Sequence, residues 1–183
     1  MGKVVATMNM TLDGYCDHTA MDADDEIHRH YTDLLRNADT IIFGRKTYQL
    51  MEFWPSLVKK PSGNKAMDDF AVVMDNIPKI VFSRTLKDVD WPTARVATKD
   101  LEEEVAELKQ QTDKPVLVGS PSLIVELTKL GLIDEYQLSV HPTVVGSGLT
   151  LFKDIKDRVY LKLIKTKTFD CGAITLYYEP TKR

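Results

Sequence analysis

The stretch from Lys114 to Leu132, KPVLVGSPSLIVELTKLGL, constrains the fold most. Val116-Leu117-Val118 is a short apolar run between turn residues. That is the pattern of a strand buried on both faces, as in a parallel sheet. The run ends at Gly119-Ser120. Ser120 suits a helix N-cap, and Pro121 suits the first helical position, where a missing N–H costs nothing. Leu123, Leu127 and Leu130 then recur at helical spacing, and Gly131 can close the helix in a left-handed conformation. A strand passing straight into a helix implies a chain that alternates the two.

The rest of the sequence repeats the alternation. Lys3 to Met10 reads as a buried first strand. Asp24 or Asp25 can cap a helix with Ile27, Tyr31, Leu34 and Leu35 on its apolar face. Thr40 to Phe43 is a β-branched and aromatic strand stopping at Gly44, and Arg45 starts a helix through about Phe53. Trp54-Pro55 reads as its break, and residues 56–64 as a loop. Lys65 to Met74 reads as a helix. Lys79 to Ser83 and Arg95 to Thr98 read as strands, and Asp100 with Glu103 as a capping pair. Beyond Leu132 the pattern changes. Asp134 to His141 alternates apolar and polar residues, which predicts a strand with one less buried face. Val159–Phe169 and Ala173–Glu179, split by Asp170-Cys171-Gly172, predict a terminal hairpin. The expected architecture is one α/β domain over residues 1–183, with a mostly parallel central sheet and antiparallel strands at its end.

Charge narrows the function. A formal net charge of −3 opposes a nucleic-acid partner, since phosphate-backbone binding needs a basic face. Two cysteines, Cys16 and Cys171, cannot form a disulfide framework and read as free thiols. The N-terminus lacks a basic segment followed by an apolar core, and no apolar run reaches membrane-spanning length. The expectation is a cytoplasmic protein with a small-molecule substrate and no membrane partner.

Ligands bind at the carboxyl edge of a parallel sheet, and three strand-end joints carry suitable residues there. Gly44-Arg45-Lys46-Thr47 offers a glycine, two cations and a hydroxyl. Ser83-Arg84-Thr85 offers two hydroxyls and an arginine. Gly119-Ser120-Pro121-Ser122 offers open amides and two hydroxyls. Joined, they could hold a dinucleotide, and the cations favour a phosphorylated ribose and hence NADPH over NADH. No G-x-G-x-x-G is present, so the dinucleotide fold of that fingerprint is not expected. Asp13, at the mouth of the first strand, is the candidate catalytic group. Tyr15 and Trp54 could stack on a planar substrate. His28 and His30 lie two apart on one helix, on different sides, and cannot pair on a metal as an i, i+4 pair would.

The segment Gly44-Arg45-Lys46-Thr47-Tyr48 resembles the GRxTW-type segment of dihydrofolate reductases. The whole chain resembles a related branch, the dihydrofolate-reductase-like family that includes the C-terminal reductase domain of riboflavin-biosynthesis deaminase/reductases. Thr11-Leu12-Asp13-Gly14, Phe82 to Leu86, Val118-Gly119-Ser120, Gly131 to Glu135, and Pro142 through Gly146-Ser147-Gly148 to Phe152 match in the family's order. The resemblance implies a three-layer fold, a homodimer and an NADPH-dependent reductase. Carried over by position, Ala6, Gly44 to Thr47, Ser83, Arg84 and Gly119 to Leu123 would hold NADPH. The family often has a cis peptide at the position of Gly119-Ser120, usually between two glycines. Dihydrofolate reductases carry a carboxylate on the first helix, and that slot falls near His28 here, which speaks against folate as substrate. The implied substrate is a planar heterocycle such as the riboflavin precursor 5-amino-6-(5-phosphoribosylamino)uracil, or alternatively a pterin. A nucleotide-binding protein without catalysis is the competing class. A flavodoxin-like FMN protein fits the alternating start but not the three-strand finish.

Overall fold

The computed structural model describes residues 1–181. Eight strands form one sheet: β1 (Val4–Thr11), β2 (Thr40–Gly44), β3 (Lys79–Phe82), β4 (Ala94–Val96), β5 (Val116–Val118), β6 (Glu135–His141), β7 (Tyr160–Thr168) and β8 (Ile174–Thr181). Their order across the sheet is β4-β3-β2-β5-β1-β6-β8-β7. The six strands β1 to β6 are mutually parallel, while β8 runs antiparallel to β6 and β7 antiparallel to β8. The helices are α1 (Asp25–Arg36), α2 (Arg45–Met51), α3 (Trp54–Lys59), α4 (Lys65–Asn76), α5 (Leu101–Gln111) and α6 (Pro121–Lys129).

Successive strand residues point to opposite faces, and the core divides accordingly. Val5, Leu117, Phe43 and Val81 pack with Leu35 of α1, Tyr48 of α2, and Phe70 and Met74 of α4. Val4, Ala6, Ile42 and Val118 pack with Val105 and Leu108 of α5 and Leu123, Ile124 and Leu127 of α6. The result is three layers, with α1 to α4 on one face and α5 and α6 on the other. Three helix starts are fixed by side chains that accept a backbone N–H: Asp24 from Ile27, Asn64 from Met67 and Asp100 from Glu103. Such a cap stabilises by about 0.5–2 kcal/mol.

The structure corrects three expectations. Trp54-Pro55 does not break into a loop; it opens α3, with Pro55 in the first turn, where no intrahelical N–H is needed. Leu130 does not extend the apolar face of α6; it lies at the C-cap and is exposed. β6 is buried on both faces rather than one. Gln137, Ser139 and His141 are all buried; α1 and the neighbouring strands supply polar partners to Ser139 and His141, and Glu135 of the same strand accepts from Gln137. The Tyr31 hydroxyl donates to Ser139 Oγ at 2.9 Å, Ser139 Oγ meets Thr175 Oγ1 at 2.7 Å, and His141 Nε2 meets Asn9 Oδ1 at 2.9 Å. Among the described residues no helix is long and apolar enough to cross a membrane.

Candidate active site

Parallel pairing puts the carboxyl ends of β2, β3 and β5 side by side. Gly44 is the register partner of Phe82, and Ile42 that of Val118. The joints after Gly44, Phe82 and Val118 therefore share one rim. A bond between two of them fixes their spacing: the Gly44 N–H donates to Ser120 Oγ at 2.8 Å. Ser120 stands at the N-cap of α6 as expected, but its hydroxyl makes no capping bond. It serves the neighbouring joint instead.

That geometry has a chemical consequence. The Gly44 N–H occupies a lone pair of the Ser120 oxygen, which is buried between the two joints. Ser83 is alike, its Oγ accepting the N–H groups of Thr85 at 3.1 Å and Leu86 at 2.9 Å. Two hydroxyl oxygens on one rim thus accept backbone N–H groups, and Ser83 Oγ also meets Thr85 Oγ1 at 3.4 Å. Arg45, Lys46, Arg84 and Ser122 are exposed nearby, and Thr47 and Pro121 are half-buried. A Cβ built on Gly44 would sit 3.4 Å from Ser122 Oγ and 3.7 Å from Ser120 Oγ. Donors, cations and no carboxylate at these joints suit a phosphorylated ligand.

Two expected binding residues face inward. Ala6 is fully buried and Leu123 nearly so, both within the core under α5 and α6. Their side chains hold the floor of the rim and do not line it. Gly119 also has a packing role. Its lack of a side chain is read from sequence as an opening for ligand, yet a Cβ there would lie 2.9 Å from Phe43 Cε1 and 3.4 Å from Ile41 Cδ1. Aromatic and aliphatic side chains of β2 fill that space. All described peptide bonds are trans, Gly119–Ser120 included.

Asp13 sits in the turn after β1 and holds a loop. Its carboxylate accepts the Thr11 hydroxyl at 2.7 Å, the Gly146 N–H at 2.7 Å and the Val145 N–H at 3.2 Å. The Thr11 hydroxyl bond, aided by the amides, holds its pKa below the ordinary 3.8. A carboxylate so bound is ionised near neutrality and is a poor proton donor. The turn and the loop are sewn together further. Leu12 N–H donates to Thr143 O, Cys16 N–H to Leu149 O, and Leu151 N–H to Gly14 O. Tyr15 pairs with Thr150, and its hydroxyl reaches Gly146 O at 3.4 Å. Tyr15 therefore belongs to this flap at the end of β1.

Trp54 opens α3 and packs in the helix layer beside α1 and α4. Its ring meets Phe70 edge-on at 4.5 Å and His28 at 6.2 Å. A cleft of about 510 Å³ opens beside Ser83, between the following turn and β4, lined in part by Lys87, Arg95 and Thr98. Lys87 and Arg95 are not among the residues expected from sequence. The signal for Arg95 was a lone cation in a short strand; Arg95 is paired with Glu104 of α5.

Comparison with known proteins identifies the fold and the family. The fold is that of the dihydrofolate-reductase class: dihydrofolate reductase from Enterococcus faecalis, solved as a complex with NADP(H), superposes with a TM-score of 0.66 at 15% identity, over 99% of this chain and 98% of its own. Within that class the chain belongs to the RibD C-terminal domain family, which matches residues 2–175. An uncharacterized protein of Bacillus subtilis (strain 168), YyaP, is 34% identical, covering 96% of this chain and 94% of its own. A putative riboflavin biosynthesis protein from Shewanella sp. PV-4 superposes over the whole of both chains with a TM-score of 0.75 at 18% identity.

Proposed function

We propose that this protein is an NADPH-dependent reductase that passes hydride to a small planar heterocycle of the pyrimidine type. The observation that carries the reading is the paired rim. Ser83 and Ser120 have their oxygens engaged by backbone N–H groups, with three exposed cations around them. Membership of the RibD C-terminal domain family supports the reductase class. NADPH would lie along the carboxyl edge, its phosphates toward Ser83, Ser120 and Ser122 and its cation partners Arg45, Lys46 and Arg84. When bound, the cofactor supplies the hydride; the chain's task is to orient it and shield the transfer from water. The Tyr15 flap and Trp54 bound the mouth in which the heterocycle would sit. Asp13 holds that flap closed.

The test is a titration of NADPH into the protein, followed by its oxidation with 5-amino-6-(5-phosphoribosylamino)uracil. Binding lost in the Arg45→Ala/Arg84→Ala double variant, with turnover in the wild type, supports the reading. Equal affinity in the double variant would sink it. A second reading is a nucleotide-binding protein without catalysis. The engagement of Asp13 by the loop favours it, and binding without oxidation across a panel of pyrimidines and pterins is its signature. The homodimer remains part of the proposal. Exposed Phe152, Val159, Leu163 and Ile164 near the β7 end of the sheet support it, and sedimentation velocity tests it.

A further inference from the structure

One side-chain amide near the carboxyl end of β1 is held at its oxygen and unpartnered at its nitrogen. We propose that Asn9 selects the substrate, its Nδ2 donating to a carbonyl oxygen of the bound heterocycle, and that buried His141 is the positioning residue that turns the amide that way. The inference rests on the reductase reading above and names the polar feature the heterocycle must carry.

Two strands fix the amide. Successive residues of β1 face opposite ways. Val4 and Ala6 pack with α5 and α6, and Val5 packs on the α1 side, so Asn9 is on the α1 face. His141 ends β6 as the register partner of Thr11, and its Nε2 lies 2.9 Å from Asn9 Oδ1. An amide oxygen only accepts, so Nε2 carries the hydrogen. Burial holds the His141 pKa below 6.5 against the charges of Asp24 and Asp22. The neutral ring has a single N–H, and that N–H goes to Asn9. His141 is 2 % exposed, so water does not compete for the bond.

The oxygen of Asn9 is thereby taken and its NH2 turned away from His141. Nδ2 has no hydrogen bond among the described residues and is not sealed from solvent. Ser139, the register partner of Asn9 on β6, is engaged instead with Tyr31 and Thr175. A donor fixed before the ligand arrives loses little freedom on binding. It accepts a ring carbonyl and opposes an amino group at the same place, where two donors would meet.

Topology puts Asn9 beside the rim. Ala6 is the register partner of Val118, the last residue of β5. β1 runs on to Thr11, so Asn9 stands about 10 Å further along than the point where Gly119-Ser120 turns off. The helix after β1 lies on one face of the sheet and the helix after β5 on the other. Two adjacent strands thus send their chains to opposite faces. The crevice this opens at the carboxyl edge is where open α/β sheets bind ligands. Asn9 is on its β1 side and Ser120 on its β5 side. Two residues beyond Asn9, Thr11 Oγ1 accepts the Tyr15 N–H at 3.0 Å, which joins the same strand end to the Tyr15 flap.

The experiment measures KM, kcat and NADPH affinity with 5-amino-6-(5-phosphoribosylamino)uracil for wild type, Asn9→Asp, His141→Ala and His141→Gln. Asn9→Asp keeps the shape and the bond from His141 but replaces two donors by an acceptor. It should raise KM about 10-fold or more, lower kcat less, and leave NADPH affinity within about twofold. His141→Ala frees the amide to turn over and should raise KM in the same direction. His141→Gln, whose own amide still donates to Asn9, should recover most of that loss; a purely structural histidine would lower stability without this split. Nitrogen NMR of labelled protein should find the hydrogen on His141 Nε2 and a shift of the Asn9 side-chain NH2 signal when the uracil is added. A KM for Asn9→Asp within about twofold of wild type, or a His141 hydrogen on Nδ1, overturns the assignment while wild-type turnover keeps the reductase reading. If the wild type itself leaves NADPH unoxidised, the reductase reading fails and the assignment fails with it.

Discussion

The amide of Gly44 and the hydroxyl of Ser120, 76 positions apart, meet at 2.8 Å and tie two strand-to-helix joints into one rim. Ser120 is 1 % exposed, so water cannot replace its oxygen freely. The bond makes Ser120 a positioning residue for whatever the rim holds.

Ser120→Ala removes the acceptor and leaves a half-buried N–H without its partner. The expected loss of stability is about 1–3 kcal/mol, read as a lower urea midpoint at constant slope. NADPH affinity should fall as well, because the bond that spaces the two joints is lost. Ser122→Ala, at an exposed hydroxyl on the same joint, should leave stability nearly unchanged.

Lys79 gives a pH signature. It is 1 % exposed, with its ammonium donating to Ile77 O, Thr93 Oγ1 and Asp75 O and lying 4.0 Å from the Trp91 ring centre. Burial pulls its pKa from 10.5 to about 8. Below pH 8 both folded and unfolded chains hold the proton, and the group adds no slope. Between pH 8 and 10.5 the unfolded chain holds more protons, so this group makes stability rise with pH, by roughly 1–3 kcal/mol across the window. Buried tyrosines act oppositely above pH 10; Tyr31 is pushed to about 12, chiefly by burial. The difference between wild type and Lys79→Met in urea midpoints from pH 7 to 10 isolates the lysine. A difference independent of pH would refute it.

Asp13 makes the loop it holds sensitive to acid. Its pKa is lowered, first by the Thr11 hydroxyl and then by the Gly146 and Val145 amides. A lowered carboxylate pKa means that its contribution is present above the unfolded value near 3.8 and is lost as pH falls through the folded value. Hydrogen exchange of the Val145 and Gly146 amides should show protection at pH 5–7. Asp13→Asn should speed their exchange severalfold at neutral pH while leaving amides of β1 and β5 protected. Uniform loss across the sheet would mean that Asp13 supports the whole fold.

Much of this was legible in the sequence, for reasons of range. β1, β2, β3 and β5 announce themselves as apolar runs because burial on both faces is written locally, residue by residue. The joints follow from Gly44, Gly119 and Pro121, whose backbone preferences are also local. α3 was not legible, because Pro55 has one reading as a breaker and another in a first turn, and only the layer above decides. β6 misled because Gln137, Ser139 and His141 look solvent-facing. Ser139 and His141 are buried against Tyr31, Thr175 and Asn9, partners supplied by other elements, while Gln137 donates to Glu135 of its own strand. The destination of Asp13 lies 133 positions away at Gly146, beyond any local pattern.

Gly119 and Phe43 offer the sharpest test of packing. Gly119 lies outside the left-handed region, so a side chain there meets no backbone strain. The obstacle is the Phe43 ring, 2.9 Å from the new Cβ. Phe43 is 2 % exposed and sits in the core beneath α1 and α4, so it cannot swing into solvent. Gly119→Ala should therefore destabilise by about 1–3 kcal/mol, the range for overpacking a close-packed core. Phe43→Leu alone leaves a cavity and costs on the order of 1–3 kcal/mol. The two changes share one volume, so the double variant should cost clearly less than their sum, with a coupling of about 0.5–2 kcal/mol. Simple additivity in a urea-denaturation cycle would show that Gly119 is required for some other reason, direct approach of a ligand among them, and NADPH affinity of the double variant then separates the two: packing alone predicts its recovery together with stability.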